Sequence, residues 1–165
     1  MRGRLNLNSR ATGKSSVALD ASAIILLSKL GYLKEILGLF DNIEVCPAVL
    51  GEIGRKKDSV YFEFMDMLKS NKIKIEDIEH RFPSLGAGES STIYLGLLKK
   101  KPIVLDDKRA RRLARELGLV VIGTISLLKR LYELGKLKEK PEELYIRLRQ
   151  LRFRIKREIF EKIFC

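Results

Sequence analysis

The chain has 165 residues, 45% of them hydrophobic and 33% charged, which excludes a disordered segment and fits one domain with a core of its own. Lys and Arg number 33 against 21 acids, a net charge of +12 that favours a polyanion such as nucleic acid over a small neutral partner. Two distant cysteines, Cys46 and Cys165, and a single histidine, His80, cannot make a structural zinc site. Cys46 reads as a buried strand residue, Cys165 as a free terminal thiol and His80 as a solvated surface side chain. No apolar run reaches membrane-spanning length, and the basic N-terminus lacks the apolar stretch of a signal peptide, so the cytoplasm is expected.

Residues 1–16 are polar, basic and aperiodic, and are expected to form a flexible arm ahead of a domain spanning 17–165. Gly13-Lys14-Ser15 does not make a phosphate-binding loop, because Asn8 stands where that motif needs glycine and no convincing strand precedes it. An apolar strand over 17–19 stops at Asp20 and leads into a helix over 22–30, ended by Gly31. A short helix is predicted over 32–40, a second strand over 43–46, and a helix opened by Pro47 and running through Glu52. Asp58 is placed to cap a helix in which Phe62, Met65 and Leu68 recur at helical spacing. Residues 72–76 alternate like an edge strand. A helix follows Gly86-Ala87-Gly88 to about 100, then a buried strand over 103–105 ending in Asp106-Asp107.

A basic helix over 108–117, a strand over 119–122, a helix over 126–134, one over 141–151 and a last one over 155–160 complete the chain. Strands alternating with helices are the signature of βαβ units. The expected fold is a single three-layer α/β/α sandwich with a parallel sheet of about five strands and a basic helical C-terminal segment.

Acids stand at four places where packing asks for none. Asp20 and the pair Asp106-Asp107 each follow an apolar strand directly. Glu52 lies among Val49, Leu50 and Ile53, and Glu89 shares a helix face with Ile93 and Leu97. Taken alone, Asp20 reads equally well as a helix cap. Taken together, a parallel sheet would bring the strand-end acids to one edge and helices starting there would bring the others near. Gathered carboxylates repel and hold protons unless cations neutralise them, and such oxygen ligands suit Mg²⁺ or Mn²⁺. Two ions about 3.5–4 Å apart would serve phosphodiester hydrolysis.

These residues resemble the PIN-domain nucleases, which include VapC-type toxins, over roughly 17–135. The resemblance rests on the strand closing in Asp20 with Ser22 two places on, the element from Pro47 to Glu52, Glu89 at the head of a helix, and the acid pair after Ile103-Val104-Leu105. It implies a metal-dependent endoribonuclease with Asp20, Glu52, Glu89 and Asp107 as catalytic acids, and Asp106 or Asp107 as the fourth metal ligand. Ser22 and Thr124 match supporting polar positions. Glu89 stands where the toxins more commonly have Asp, and Asp106 is extra to their pattern. The resemblance also brings an antitoxin protein and a homodimer as candidate partners, and a VapBC-type toxin as candidate role.

The basic helix begins beside the acid pair, so Lys108, Arg109, Arg111, Arg112 and Arg115 read either as holders of RNA phosphates or as a solvated face. The C-terminal cations, Arg147 to Arg157, alternate with apolar residues and carry the same two readings. The rival to a nuclease is a non-catalytic RNA-binding module on the same fold. A small-substrate phosphatase is disfavoured by a charge of +12.

Overall fold

A computed structural model describes residues 15–165; the basic arm, as far as residue 14, lies outside the described residues. In chain order the elements are β1 (Ser16–Leu19), α1 (Ala21–Leu30), α2 (Leu33–Leu37), β2 (Asn42–Val45), α3 (Pro47–Ile53), α4 (Ser59–Lys69), β3 (Lys74–Ile75), α5 (Ala87–Lys99), β4 (Ile103–Val104), α6 (Lys108–Glu116), β5 (Val121–Ile122), α7 (Thr124–Glu133), α8 (Pro141–Gln150) and α9 (Arg157–Phe164). The strands form one parallel sheet in the order β3-β2-β1-β4-β5.

Burial on both faces explains the apolar strands. In β1, Val17, Ala18 and Leu19 are fully buried, and their side chains alternate between two cores as the pleat requires. Val17, Leu19, Val104 and Ile122 pack into a larger core with α1, α2, α4 and α7 to α9. Ala18, Ile103 and Leu105 face a smaller core with Ile93 and Leu95 of α5 and Ala110 and Ala114 of α6. Helices therefore cover both faces, as expected for a three-layer α/β/α sandwich. Each fully buried Leu or Ile adds about 1.5–3 kcal/mol through area removed from water.

The strand order has a physical consequence. From β1 the chain builds outward through β2 to β3, then returns to β1's other side for β4 and β5. The reversal between β1 and β4 leaves a crevice at their C-terminal ends, where sites form in open parallel sheets. Asp20 closes β1 and Leu105-Asp106-Asp107 closes β4, so both border that crevice.

Several helix boundaries differ from the sequence prediction. α2 is limited to Leu33–Leu37, with Gly38 as its C-cap. α7 starts at Thr124, two residues early, because Asp106, after β4, accepts from its first amide. α9 starts at Arg157 and not 155 and ends at Phe164 and not 160; ahead of it Arg152 takes a left-handed turn, and Leu151, Phe153 and Ile155 pack against the larger core. The 72–76 edge strand is paired only at Lys74 and Ile75. Asp58 caps α4 as predicted, accepting from the Tyr61 amide. None of the described helices is long and apolar enough to cross a membrane.

Candidate active site

Asp20 sits at the N-terminus of α1 in extended conformation, 3% exposed. Its side chain makes no capping bond, so the cap reading does not explain it. Oδ2 accepts from Ser22 Oγ at 3.1 Å, while Oδ1 is buried with no hydrogen-bond partner. Burial raises the Asp20 pKa from 3.8 to about 7; the Ala21 amide partly offsets this, Glu52 and Glu89 add to it, and Ser22 opposes it. Glu44, the other buried carboxylate among the described residues, shows what a compensated acid looks like. It accepts from Lys101, whose ammonium also reaches Ser16 Oγ at 2.9 Å, and Lys99 stands 3.7 Å away. Among the described residues Asp20 has no such cation.

Glu52 comes to Asp20 through a close approach of α3 and α5. A Cβ added at Gly88 would lie 2.5 Å from Glu52 Oε1 and 3.2 Å from Asp20 Oδ1. Only a glycine leaves room for the two carboxylates to converge there. The next residue of α5, Glu89, is half-buried and its Oε2 accepts from the Gly86 amide at 3.3 Å, which fixes it at the start of the helix. Burial raises the Glu89 pKa, with Asp107 and Glu52 adding to the shift and the Gly86 amide opposing it. Asp20 thus feels Glu52 and Glu89, and Glu89 in turn feels Glu52 and Asp107.

Asp106 and Asp107 diverge. Asp107 is exposed and caps α6, Oδ1 accepting from the Ala110 amide at 2.9 Å. Asp106 turns to α7, accepting from the Thr124 amide at 2.9 Å and from Thr124 Oγ1. Thr124 is fully buried, so its hydroxyl serves Asp106 and through it joins β4 to α7. Arg111 packs against this corner: a Cβ on Gly123 would meet its Nη1 at 2.7 Å. Burial lowers the Arg111 pKa, Arg115 adds to that, and Asp106 opposes it. Arg111 is half-buried, whereas Lys108, Arg109, Arg112 and Arg115 are exposed.

Whether these residues fit a divalent ion can be tested on Asp20. An unpartnered buried carboxylate oxygen beside a second carboxylate is a hard oxygen donor set, and a hard cation is what such a set lacks. The chemistry fits. Among the described residues no three His, Cys, Asp or Glu side chains stand at ligand spacing, so a complete set requires Glu52 or Glu89, both half-buried, to move, Glu89 giving up its bond from the Gly86 amide.

The acid pair opens into a cleft of about 480 Å³. Ser22 and Lys29 of α1, Glu89, Asp106 and Asp107 border it, and so do Arg152, Phe153 and Arg154 between α8 and α9. Sequence reasoning named Arg152 and Arg154 among the C-terminal cations, with an RNA-binding face as one of two readings, but did not find Lys29. The signal was the alternation of charged and apolar residues over 151–156, whose apolar members pack on the larger core. Gly88 was also passed over, although its place between Ala87 and Glu89 is where two helices must touch. His80 departs from the surface expectation, since its ring stacks on Tyr94 at 4.2 Å and meets Phe82 edge-on at 4.5 Å. Cys46 is buried as expected, and burial pushes its thiol up to about 12, with Asp20 adding to the shift, so it is no thiolate nucleophile. Cys165 is exposed and free.

No curated protein sequence matches the chain. Among solved structures it is similar to a PilT N-terminus domain protein from the hyperthermophilic archaeon Sulfolobus solfataricus P2, at 20% identity and a TM-score of 0.48, covering 76% of this chain and 96% of that one. It is also similar to the PIN domain endonuclease Utp24, at 15% identity and a TM-score of 0.52, covering 66% of this chain and 84% of that one. The second likeness is one of fold, and it agrees with the five-stranded parallel sheet. The family profile described as PIN domain matches residues 16–164, from the start of β1 to the end of α9. On that match, the chain belongs to the PIN-domain family.

Proposed function

We propose that this protein is a divalent-metal-dependent endoribonuclease of the cytoplasm, hydrolysing RNA phosphodiesters at the acid cluster. The observation that carries the reading is the buried, unpartnered Oδ1 of Asp20, held beside Glu52 where β1 ends. An uncompensated buried carboxylate costs several kcal/mol, and a fold keeps one where a ligand repays it.

Asp20, Glu52, Glu89 and Asp107 are the residues that would hold Mg²⁺ or Mn²⁺, with Asp106 held back by Thr124. When bound there, such an ion supplies Lewis-acid charge to the scissile phosphate and makes water a better nucleophile. The chain's own residues do the rest. Ser22 fixes Asp20 by donating to Oδ2, which leaves Oδ1 directed at the site. Asp106 and Thr124 tie β4 to α7 and so set the position of Asp107 next in chain. The exposed cations of α6 bind backbone phosphates, which gives affinity without sequence preference.

Cleavage of mixed RNAs with Mn²⁺, with Mg²⁺ and with chelator tests the proposal, the Asp20→Asn variant serving as control. Metal-dependent cleavage by wild type and none by the variant is the expected result. Chelator-resistant cleavage by the variant would defeat it. The absence of three acids at ligand spacing favours a second reading, a non-catalytic RNA-binding module, which predicts equal RNA affinity with and without metal and no cleavage. Similarity to VapC-type toxins extends the first reading to the toxin of a VapBC-type pair, with an antitoxin protein and a homodimer as partners. Growth arrest on expression, relieved by a co-expressed neighbouring gene product, tests that role.

A further inference from the structure

We propose that the segment joining α8 to α9 is a second wall of the nucleic-acid track, with Arg152 and Arg154, opposite Lys29 of α1, holding backbone phosphates next to the acid cluster. The inference rests on the nucleic-acid reading above and adds a binding element distinct from α6.

Three observations lead to it. Arg152, Arg154 and Lys29 border the same cleft as Glu89, Asp106 and Asp107. All three cations are exposed, and among the described residues none makes an ion pair or a side-chain hydrogen bond, with those acids or any others. Cations that share a cleft with carboxylates yet leave them unpaired are free to take a different anion.

The backbone shows why they stay apart. Leu151, Phe153 and Ile155 pack against the larger core, so the residues between them, Arg152, Arg154 and Lys156, are turned to solvent. Arg152 sits in the turn that ends α8, and residues 153–156 are neither helix nor strand before α9 begins. A second groove of about 680 Å³ continues along Arg149, Arg152, Arg154 and Lys156, so the cations form a row leading away from the acids.

The third observation is a local conflict. Arg152 follows the C-cap of α8 with φ of 60°, a left-handed position that glycine fills with least strain. Its amide donates to the Arg149 carbonyl at 3.0 Å and the next amide, of Phe153, to the Leu148 carbonyl at 2.9 Å, which hold the strained turn closed. Asn71, Ser84 and Lys100 also take left-handed positions; what sets Arg152 apart is that it borders the cleft beside the acids. The cationic head at the cleft is what arginine offers there and glycine does not.

Fluorescence anisotropy with a labelled single-stranded RNA oligonucleotide, in chelator and across a salt series, tests the inference on the full chain. Arg152→Ala with Arg154→Ala should lower affinity roughly tenfold to a hundredfold. It should also flatten the plot of log affinity against log salt by about 1.4, the loss of two phosphate contacts on a single strand. Arg152→Gly separates binding from folding: it should melt higher than wild type, because the left-handed strain is relieved, and still bind more weakly, while Arg152→Lys restores most of the slope. An unchanged affinity and slope in the double variant, with wild type binding normally, would overturn this inference and leave the nuclease reading standing. Wild type that binds no RNA would overturn both. Displacement of the RNA by polyglutamate of matched charge as readily as by unlabelled RNA would make the row a docking site for an acidic peptide and overturn it too.

Discussion

Replacing Asp20 by asparagine should make the protein more stable, increasingly so as pH rises, while removing its activity. The wild-type carboxyl is held at about 7 against an ordinary 3.8, chiefly by burial, so the folded state binds that proton more tightly than the unfolded chain. Its contribution is therefore most favourable at low pH and is lost as pH rises from about 4 through 7. Each tenfold change in acidity is about 1.4 kcal/mol, so the loss reaches about 4 kcal/mol above pH 7 and is less than half of that at pH 5. Asparagine does not titrate. Its oxygen can keep the bond from Ser22, and its amide nitrogen takes the place of Oδ1, beside Glu52 Oε1, where a donor is wanted. Relief of Glu52 and Glu89 acts in the same direction. In thermal melts with chelator the variant should match wild type near pH 4 and exceed it by roughly 10 °C at pH 8, at about 2–4 °C per kcal/mol for a chain of this size. Saturating Mn²⁺ should then stabilise wild type more than the variant, since binding at a hundred times Kd adds about 2.7 kcal/mol to the form that binds. Cleavage by the variant should fall at least about a hundredfold. Parallel pH profiles for the two proteins, or a variant less stable than wild type at pH 8 without metal, would refute the reasoning.

Gly88→Ala places a Cβ against Glu52 and Asp20; we expect cleavage to collapse and chelator-state stability to fall by about 1–3 kcal/mol through overpacking, both read from one preparation by melting and RNA cleavage. Glu44→Gln strands Lys101, whose side chain is 10% exposed, and should cost about 3–5 kcal/mol in urea unfolding while leaving the metal-dependent fraction of cleavage intact. Alanine at Arg109, Arg112 and Arg115 together should reduce the salt dependence of RNA affinity, whereas Arg111→Ala, which empties the space beside Gly123, should show mainly in the melting temperature.

What could be read from the chain in advance was whatever local pattern determines. Asp20 at the end of an apolar strand, Pro47 opening α3 and the alternation of β1 and β4 between two cores all follow from side-chain period and turn chemistry. The three-layer fold followed from the order of those elements. Long-range partners could not be read. Thr124 begins α7 because Asp106, 18 residues earlier, receives its amide, and no window around Thr124 contains that information. The same is true of Gly88, whose need is set by Glu52, and of Arg111, whose cation lies on Gly123. At the C-terminus the expected helices stopped at about 151 and resumed at 155, whereas α8 ends at Gln150 and α9 begins at Arg157. The break between them is set by Leu151, Phe153 and Ile155 packing on the larger core, which no local window shows.

The contrast between Glu44 and Asp20 bears on what the net charge is for. Both acids are buried on or beside the central strands, and the chain holds 33 basic residues from which to pair them. Glu44 has two lysines at hand; Asp20 has two further acids in its field and an oxygen with no donor. The cations of the site are instead held on its rim, at Lys29, Arg152 and Arg154, and along the exposed face of α6. This separation has a screening consequence. Rim charges act through solvent and weaken beyond about 8 Å at physiological salt, so on the proposed function they would draw in and release a polyanion reversibly. The buried acids are shielded from that screening and would act at full strength over short range on a divalent ion held there. A lysine beside Asp20 would stabilise the fold and fill the place of that ion. Among the described residues no lysine or arginine pairs with Asp20, which supports the proposal that these acids are kept for a cation from outside.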